Sequence, residues 1–236
     1  LGYSGTDGNA VHIDHNNFYD NTMGFSTDVF TASGHPGFPQ DSDLLDHNNF
    51  YSNNLDTYAK DSDVKPSVPV PVGVGMWIAG GNNNIIRDNH IYDNWRRGTM
   101  LFAVPDSFVC PQPDDNNLHG CNPSNTNDTS LDNRYYNNVM GTAPDGTYMP
   151  NGVDFWWDNF PGNTGDCWYN NKAFTGKSIV TSPSTLPDCS GGKDPSTSVG
   201  TGDAANEQEL LGCAGSVEGG TDTCPWYSEP PKPSRR

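Results

Sequence analysis

Basic side chains are scarce in this chain: 12 lysines and arginines stand against 29 aspartates and glutamates, a formal net charge of −17 over 236 residues. That balance argues against nucleic acid, whose phosphates want a basic groove, and against anionic membrane surfaces. It permits Ca²⁺ or another hard cation. Long apolar runs are missing as well. Nothing approaches the roughly 18 residues of a membrane-spanning helix, and no positively charged, apolar signal segment opens the chain. The start, Leu1-Gly2-Tyr3-Ser4-Gly5, lacks an initiator methionine and reads as a processed or cropped product. Helical periodicity is nearly absent; the one helix-like piece is 204–211, ended by Gly212. No G-x-S-x-G, Walker or dinucleotide fingerprint occurs, so no nucleotide cofactor is expected.

What is present is glycine (26), proline (19), tyrosine (10), tryptophan (6) and an even number of cysteines, six. The cysteines lie in loop-like or late segments and include no C-x-x-C or zinc spacing, so they read as disulfides in an oxidising compartment. The chain is therefore expected to be secreted. Six cysteines allow fifteen connectivities. Favouring short loops gives Cys110–Cys121, Cys167–Cys189 and Cys213–Cys224.

A heptad organises the rest. His15-Asn16-Asn17-Phe18-Tyr19-Asp20-Asn21 returns as 47–53, more loosely as 88–94 and 132–138, and last as 165–171. The closing asparagines are 32, 41, 44 and 33 residues apart, a fixed core with variable spacers, which marks a solenoid with insertions in its loops. Aligned on that asparagine, one column holds Phe18, Phe50, Ile91, Tyr135 and Trp168, and the next holds Tyr19, Tyr51, Tyr92, Tyr136 and Tyr169. Neighbouring strand residues face opposite ways, so the first column is expected inward and the tyrosines outward. Stacked asparagines at the corners fit, since Asn tolerates unusual backbone angles and its amides can bond along the axis.

The pattern resembles the right-handed parallel β-helix repeat proteins of the pectin-lyase-like superfamily, notably secreted bacterial members. Residues 8–21 and 80–94 carry the likeness, which extends over roughly 1–175. It implies an all-β solenoid of parallel rungs with long loop insertions (31–43, 56–72, 104–129 and 142–163) over 1–175. A Ser/Gly/Pro-rich, disulfide-pinned extension, 176–236, would pack on or cap it. Members of that superfamily include lyases, hydrolases, epimerases, esterases and non-catalytic fibres, so the fold alone does not select an activity. Further rungs and a cap usually precede such a stretch. The open first rung is thus expected to be covered by a second chain or an N-terminal precursor fragment.

Three constellations carry chemistry. His15 and His47 share a column, with His12 close by, and two or three imidazoles on one surface could hold Cu or Zn. Asp14 and Asp46, in the adjacent column, are expected to face the other way. Arg87, His90, Arg96 and Arg97 form a strip on the third rung, and an arginine fork suits a uronate carboxylate. In β-helix lyases an arginine or lysine abstracts the proton beside the uronate while Ca²⁺ held by aspartates neutralises it. The resemblance would give those roles to Arg96 and Arg97, with Asp41, Asp43, Asp61 or Asp63 as cation ligands. Loop carboxylates such as Asp28, Asp154 and Asp158 could act as acid and base in glycoside hydrolysis, and Trp77, Trp95, Trp156 and Trp157 could stack on sugars. The leading expectation is a polysaccharide-binding or -modifying protein, lyase- or hydrolase-like, with loops 31–43, 56–72 and 142–163 walling a groove. The alternatives are a metal-binding or redox protein on the three histidines, and a non-catalytic module of a larger assembly.

Overall fold

The computed structural model describes residues 1–6, 8–28, 40–64, 70–104, 130–161, 163–194, 199–218 and 224–234. Cys110 and Cys121, and residues 31–39 of the first expected loop, lie outside them. Short strands follow one another three to a turn: β1 (Tyr3–Thr6), β2 (His12–Asp14) and β3 (Asn17–Tyr19); then β4 (Met23–Asp28), β5 (Leu44–Asp46) and β6 (Asn49–Tyr51). The third turn is β7 (Val74–Ala79), β8 (Ile85–Arg87) and β9 (His90–Tyr92), and the fourth β10 (Arg97–Phe102), β11 (Arg134–Tyr136) and β12 (Val139–Met140). The last turn is β13 (Val153–Trp157), β14 (Cys167–Tyr169) and β15 (Lys172–Ala173), followed by β16 (Thr181–Ser182). Equivalent strands stack in parallel into a six-stranded broad sheet, β1-β4-β7-β10-β13-β16, and two five-stranded sheets, β2-β5-β8-β11-β14 and β3-β6-β9-β12-β15. We call the latter two the histidine sheet and the tyrosine sheet. This is the right-handed parallel β-helix that the repeat implies.

The corners explain the sequence. Each turn between short strands spends one residue in the left-handed region, for instance His15, His47, Asp88, Asn137 and Asn170 between the histidine and tyrosine sheets, with φ of 52–56°. Asn, Asp and His are the side chains most often found there. The residue after each is a ladder asparagine: Asn48 Oδ1 accepts from Asn16 N at 2.9 Å, Asn89 Oδ1 from Asn48 N at 2.9 Å, Asn138 Oδ1 from Asn89 N at 3.1 Å, and Asn171 Oδ1 from Asn138 N at 3.0 Å. A second ladder runs Asn21, Asn53, Asn94, Asn151, and a third Asp43, Asn84, Asn133, Asp166. Their amides satisfy backbone groups that the bends would otherwise orphan inside the fold. Beside the second ladder the chain comes so close that no side chain fits: a Cβ on Gly75 would stand 2.6 Å from Gly98 O and 2.8 Å from Asn94 Nδ2.

One alignment is corrected by the register. Tyr136 pairs with Arg87, and Tyr135 with Ile86, so the fourth and fifth copies of the heptad sit one corner earlier than the first three. The five-residue unit Asn-x-apolar-x-turn occurs twice per turn, and the heptad matches either occurrence. Both columns still point as expected. Phe50, Ile91 and Tyr135 are fully buried and Trp168 nearly so, whereas Tyr19 is 49% exposed; Tyr92, covered in this structure, is the exception.

Two apolar clusters result. Phe25, Leu45, Phe50, Met76, Ile78, Ile86, Ile91, Tyr135 and Phe155 fill the solenoid. The second lies outside it, on the outer face of the broad sheet, where Met23, Val74, Trp77, Met100, Phe102 and Trp156 pack beneath Leu210, Cys213, Cys224 and Trp226. Leu210 and Cys213 belong to helix α1 (Ala204–Glu218), which runs past Gly212 instead of ending there. A helix-interior glycine costs only about 1 kcal/mol, and packing against the sheet and the Cys213–Cys224 disulfide offset it. Cys167–Cys189 also forms. The expected loop 142–163 contains β13, whose Phe155 and Trp157 point into the core. The expected covering chain finds no support in this single-chain structure, in which β1, β2 and β3 each end a sheet.

Candidate functional site on the histidine sheet

Strand alternation turns Ile13, Leu45, Ile86, Tyr135 and Trp168 inward and leaves two outward columns. One is His12, Leu44, Ile85, Arg134, Cys167; the other is Asp14, Asp46, Arg87, Tyr136, Tyr169. Asp46 is the hub. Its Oδ1 lies 2.7 Å from His12 Nε2, and its Oδ2 accepts from Arg87 Nη2 at 3.1 Å and lies 3.5 Å from His47 Nδ1. Burial pushes this carboxyl upward, but the hydrogen bonds from His12 and Arg87 outweigh it and hold Asp46 below the usual carboxylate range. The same bond, and then Tyr136, raise the Arg87 guanidinium. Arg87 stays 37% exposed, and Arg134 on the next strand is exposed. The strip thus offers imidazole, guanidinium and phenol groups to solvent on a flat sheet whose strands are about 4.8 Å apart.

Asp14 and Asp46 face outward on the same side as the histidines, against expectation. The reason is that His15 and His47 are corner residues, outside strand alternation. The two rings stack in parallel, centroids 5.1 Å apart and 2° between planes, and His15 Nδ1 is engaged by Asp14 at 2.9 Å. The in-plane lone pairs of the two rings therefore lie in separate, parallel planes and do not converge on one point between them. Among the described residues no group of three or more His, Cys, Asp or Glu comes together to hold a metal ion.

The expected third-rung strip is divided among three faces. Arg87 lies on the histidine sheet, His90 on the tyrosine sheet, and Arg96 and Arg97 at the edge of the broad sheet under the C-terminal segment. Arg96 donates to the carbonyls of Val72, Pro225 and Ser228, and burial, with Arg97 beside it, lowers its pKa to about 10. Arg97 is buried, donates to Glu209 Oε1 and lies over the Trp156 ring at 5.3 Å. These arginines tie the C-terminal cover down.

Trp77, Trp156 and Trp157 are likewise buried, the first two beneath that cover and the third inside the solenoid; half-buried Trp95 lies under the Lys232 ammonium at 5.4 Å. Asp154 accepts from Asn151 Nδ2 and Val180 N, each at 2.9 Å. Asp158, fully buried, accepts from Ala103 N at 2.9 Å and Phe160 N at 3.2 Å, and burial pushes its pKa up to about 7. Both carboxylates are spent on amide donors, all backbone except Asn151 Nδ2, and are buried. Asp28 accepts from Thr6 and Ser26. Of the proposed cation ligands, Asp43 is buried and caps Val11 N, Asp41 binds Ser42 and Asn83, and Asp61 and Asp63 are exposed on a loop. The groups missed by type-based reading are Asp46 as a hub, Arg134, and Tyr136. The inward run Ile13, Leu45, Ile86 was their signal, because residues flanking it must face out.

No family model matches the chain, and no curated protein does. Among solved structures it is similar to the A-module of mannuronan C-5 epimerase AlgE4 of Azotobacter vinelandii, with 16% identity and a TM-score of 0.44 over 70% of this chain and 33% of that one. The chain spans about a third of that module's length.

Proposed function

We propose that this β-helix binds an extracellular polysaccharide along the outward face of the histidine sheet, and that the preferred polymer carries carboxylates. The observation that carries the reading is the Asp46-centred row, with Arg87 ordered by Asp46 and still partly exposed, and Arg134 one strand further on. Guanidiniums bind carboxylates in a forked geometry, and the regular strand spacing repeats the contact along an extended chain. In a protein of net charge −17, long-range attraction for a polyanion is absent, so binding depends on these local groups and weakens with salt. Imidazole and phenol beside a bound carboxylate also supply the acid–base groups that lyase-type chemistry requires; activity on the polymer is part of the proposal.

The outer face of the broad sheet is covered by the C-terminal segment, which favours the histidine sheet as the binding face. The test is affinity electrophoresis on pectate, alginate and neutral glucans. Retardation by the uronate polymers, lost in the double variant Arg87→Ala/Arg134→Ala, is the expected result. No retardation and no cleavage on any polymer retires the reading.

A further inference from the structure

The solenoid ends in an incomplete layer. β16 continues the broad sheet past β13, with Thr181 paired to Phe155, while β14 and β15 are the last strands of the other two sheets. Where a further rung would place core side chains, a hollow of about 300 Å³ opens instead, floored by Phe155 and Trp168 and walled by Ile179 and Leu186. Tyr169 and Asp188 stand on its rim.

Three features make this hollow a binding site. The first is an aromatic lining where the aromatic ladders stop. Trp168 stacks on Tyr135 at 5.3 Å and 10°, and Tyr169 on Tyr136 at 4.8 Å and 15°. Among the described residues no further strand of that sheet follows; Trp168, 7% exposed, also meets Trp157 at 5.4 Å, while Tyr169 is partly exposed. The second is rigidity. Cys167, next to Trp168, is bonded to Cys189, next to Asp188, and Trp168 N donates to Pro187 O at 2.9 Å. Floor and rim are therefore stapled together before any ligand arrives, which removes much of the ordering cost of binding. The third is chemical contrast. An apolar, aromatic floor meets a rim with a carboxylate, itself fixed by Ser190 N at 2.8 Å and Lys193 Nζ at 2.6 Å. The volume lies at the lower end of small-molecule pockets.

We infer that this end hollow binds a single pyranose ring, its C–H face against the aromatic lining and its hydroxyls toward the Asp188 rim. An aromatic face for the ring and an acceptor for its hydroxyls are what a sugar needs, whereas a purely aliphatic molecule would leave the rim unused. The site lies at the end of the solenoid and does not rest on the reading of the histidine sheet: one can fail without the other.

The test is a titration of the intact protein with neutral hexoses and hexuronic acids, followed through tryptophan fluorescence and indole NMR signals. Parallel arms use free monosaccharides and oligosaccharides with reduced ends, which separate a free sugar from the terminus of a chain. Saturable shifts with at least one sugar are expected. Tyr169→Ala and Asp188→Asn should each weaken binding by about tenfold, the loss of one good contact. Ile179→Trp, which fills the hollow from its wall, should abolish binding while the thermal midpoint stays near that of the parent. Shifts that survive Ile179→Trp would place binding elsewhere and overturn the assignment. So would a response to benzene or cyclohexanol with none to any sugar, or no response to any probe.

Discussion

The outer faces of the broad sheet and of the histidine sheet are built on the same turns of chain, yet one is roofed and the other open. On the broad sheet, strands of five and six residues put Met23, Val74, Trp77, Met100, Phe102 and Trp156 outward, and such a surface holds only if something apolar covers it. Helix α1 and the 225–227 turn do so, stapled by Cys213–Cys224 and anchored by Arg97 on Glu209. On the histidine sheet, three-residue strands put Asp, His, Arg and Tyr outward, bonded to one another and needing no cover. Residue type alone therefore misleads in this fold. Tryptophan and paired arginines, the usual marks of a sugar site, here mark the seam with the C-terminal segment. The less conspicuous His-Asp-Arg-Tyr row is the one that solvent reaches.

The sharpest way to break this contrast is to cut the anchor. Glu209→Ala leaves Arg97 buried without its anion and deprives the Trp226 indole of its acceptor, 2.9 Å away. A loss of about 3 kcal/mol in urea unfolding is expected, and more ANS fluorescence as the roof loosens. Arg97→Met with Glu209→Met should recover most of it. Loss below about 1 kcal/mol would mean that the roof does not depend on the pair.

The same region sets a pH dependence. Burial raises Asp158 from 3.8 to about 7, with Glu207 adding like-charge repulsion. A folded pKa above the unfolded one means that the native state binds the proton more tightly. This contribution is complete below about pH 4 and is lost as pH rises toward 7. Asp154 and Asp166, also raised by burial, act in the same direction. Stability should fall by roughly 2–3 kcal/mol between pH 4.5 and 7.5, and the fall should be shallower in Asp158→Asn. A flat profile, or one rising with pH, refutes the assignment.

A smaller effect compares ladder with surface within one fold. Asn89 is fully buried; it accepts from Asn48 N and donates to Leu45 O at 3.0 Å, so Asn89→Ala orphans groups inside the solenoid at about 2 kcal/mol. Exposed Asn17, joined among the described side chains to Asn49, should tolerate Ala within about 0.5 kcal/mol. Equal losses in thermal unfolding would show that the ladders do not hold the corners.

Much of this fold was legible because its grammar is local. An asparagine at each corner, a left-handed residue before it and one apolar residue between corners suffice for the solenoid, its inward columns and the parallel pairing. What could not be read is long-range. The heptad Asp132–Asn138 matches two corners equally well, and only stacking decides that Tyr136 meets Arg87. That Leu210 and Trp226 return over 100 residues later to cover Met100 and Phe102 leaves no periodic trace. Asp154 and Asp158 looked like free carboxylates because nothing in sequence says that β13 runs through the expected loop.

His47 tests the open face at the smallest scale. It holds φ of 56°, the place taken by Asp88 one turn on and by Asn137 after that. If the position asks only for a residue at ease in that geometry, His47→Asn should change stability by less than about 0.5 kcal/mol, while β-branched His47→Val should lose about 1–2 kcal/mol from backbone strain. The imidazole's separate contribution would then lie in its contact with Asp46 and its stack on His15, and so in the open row itself. Hence His47→Asn should fold as well as the parent and yet bind uronate polymer less tightly. Affinity electrophoresis beside a thermal melt reads both at once. Weaker binding with an unchanged melt separates the site from the frame; two unchanged readings return this histidine to the scaffold.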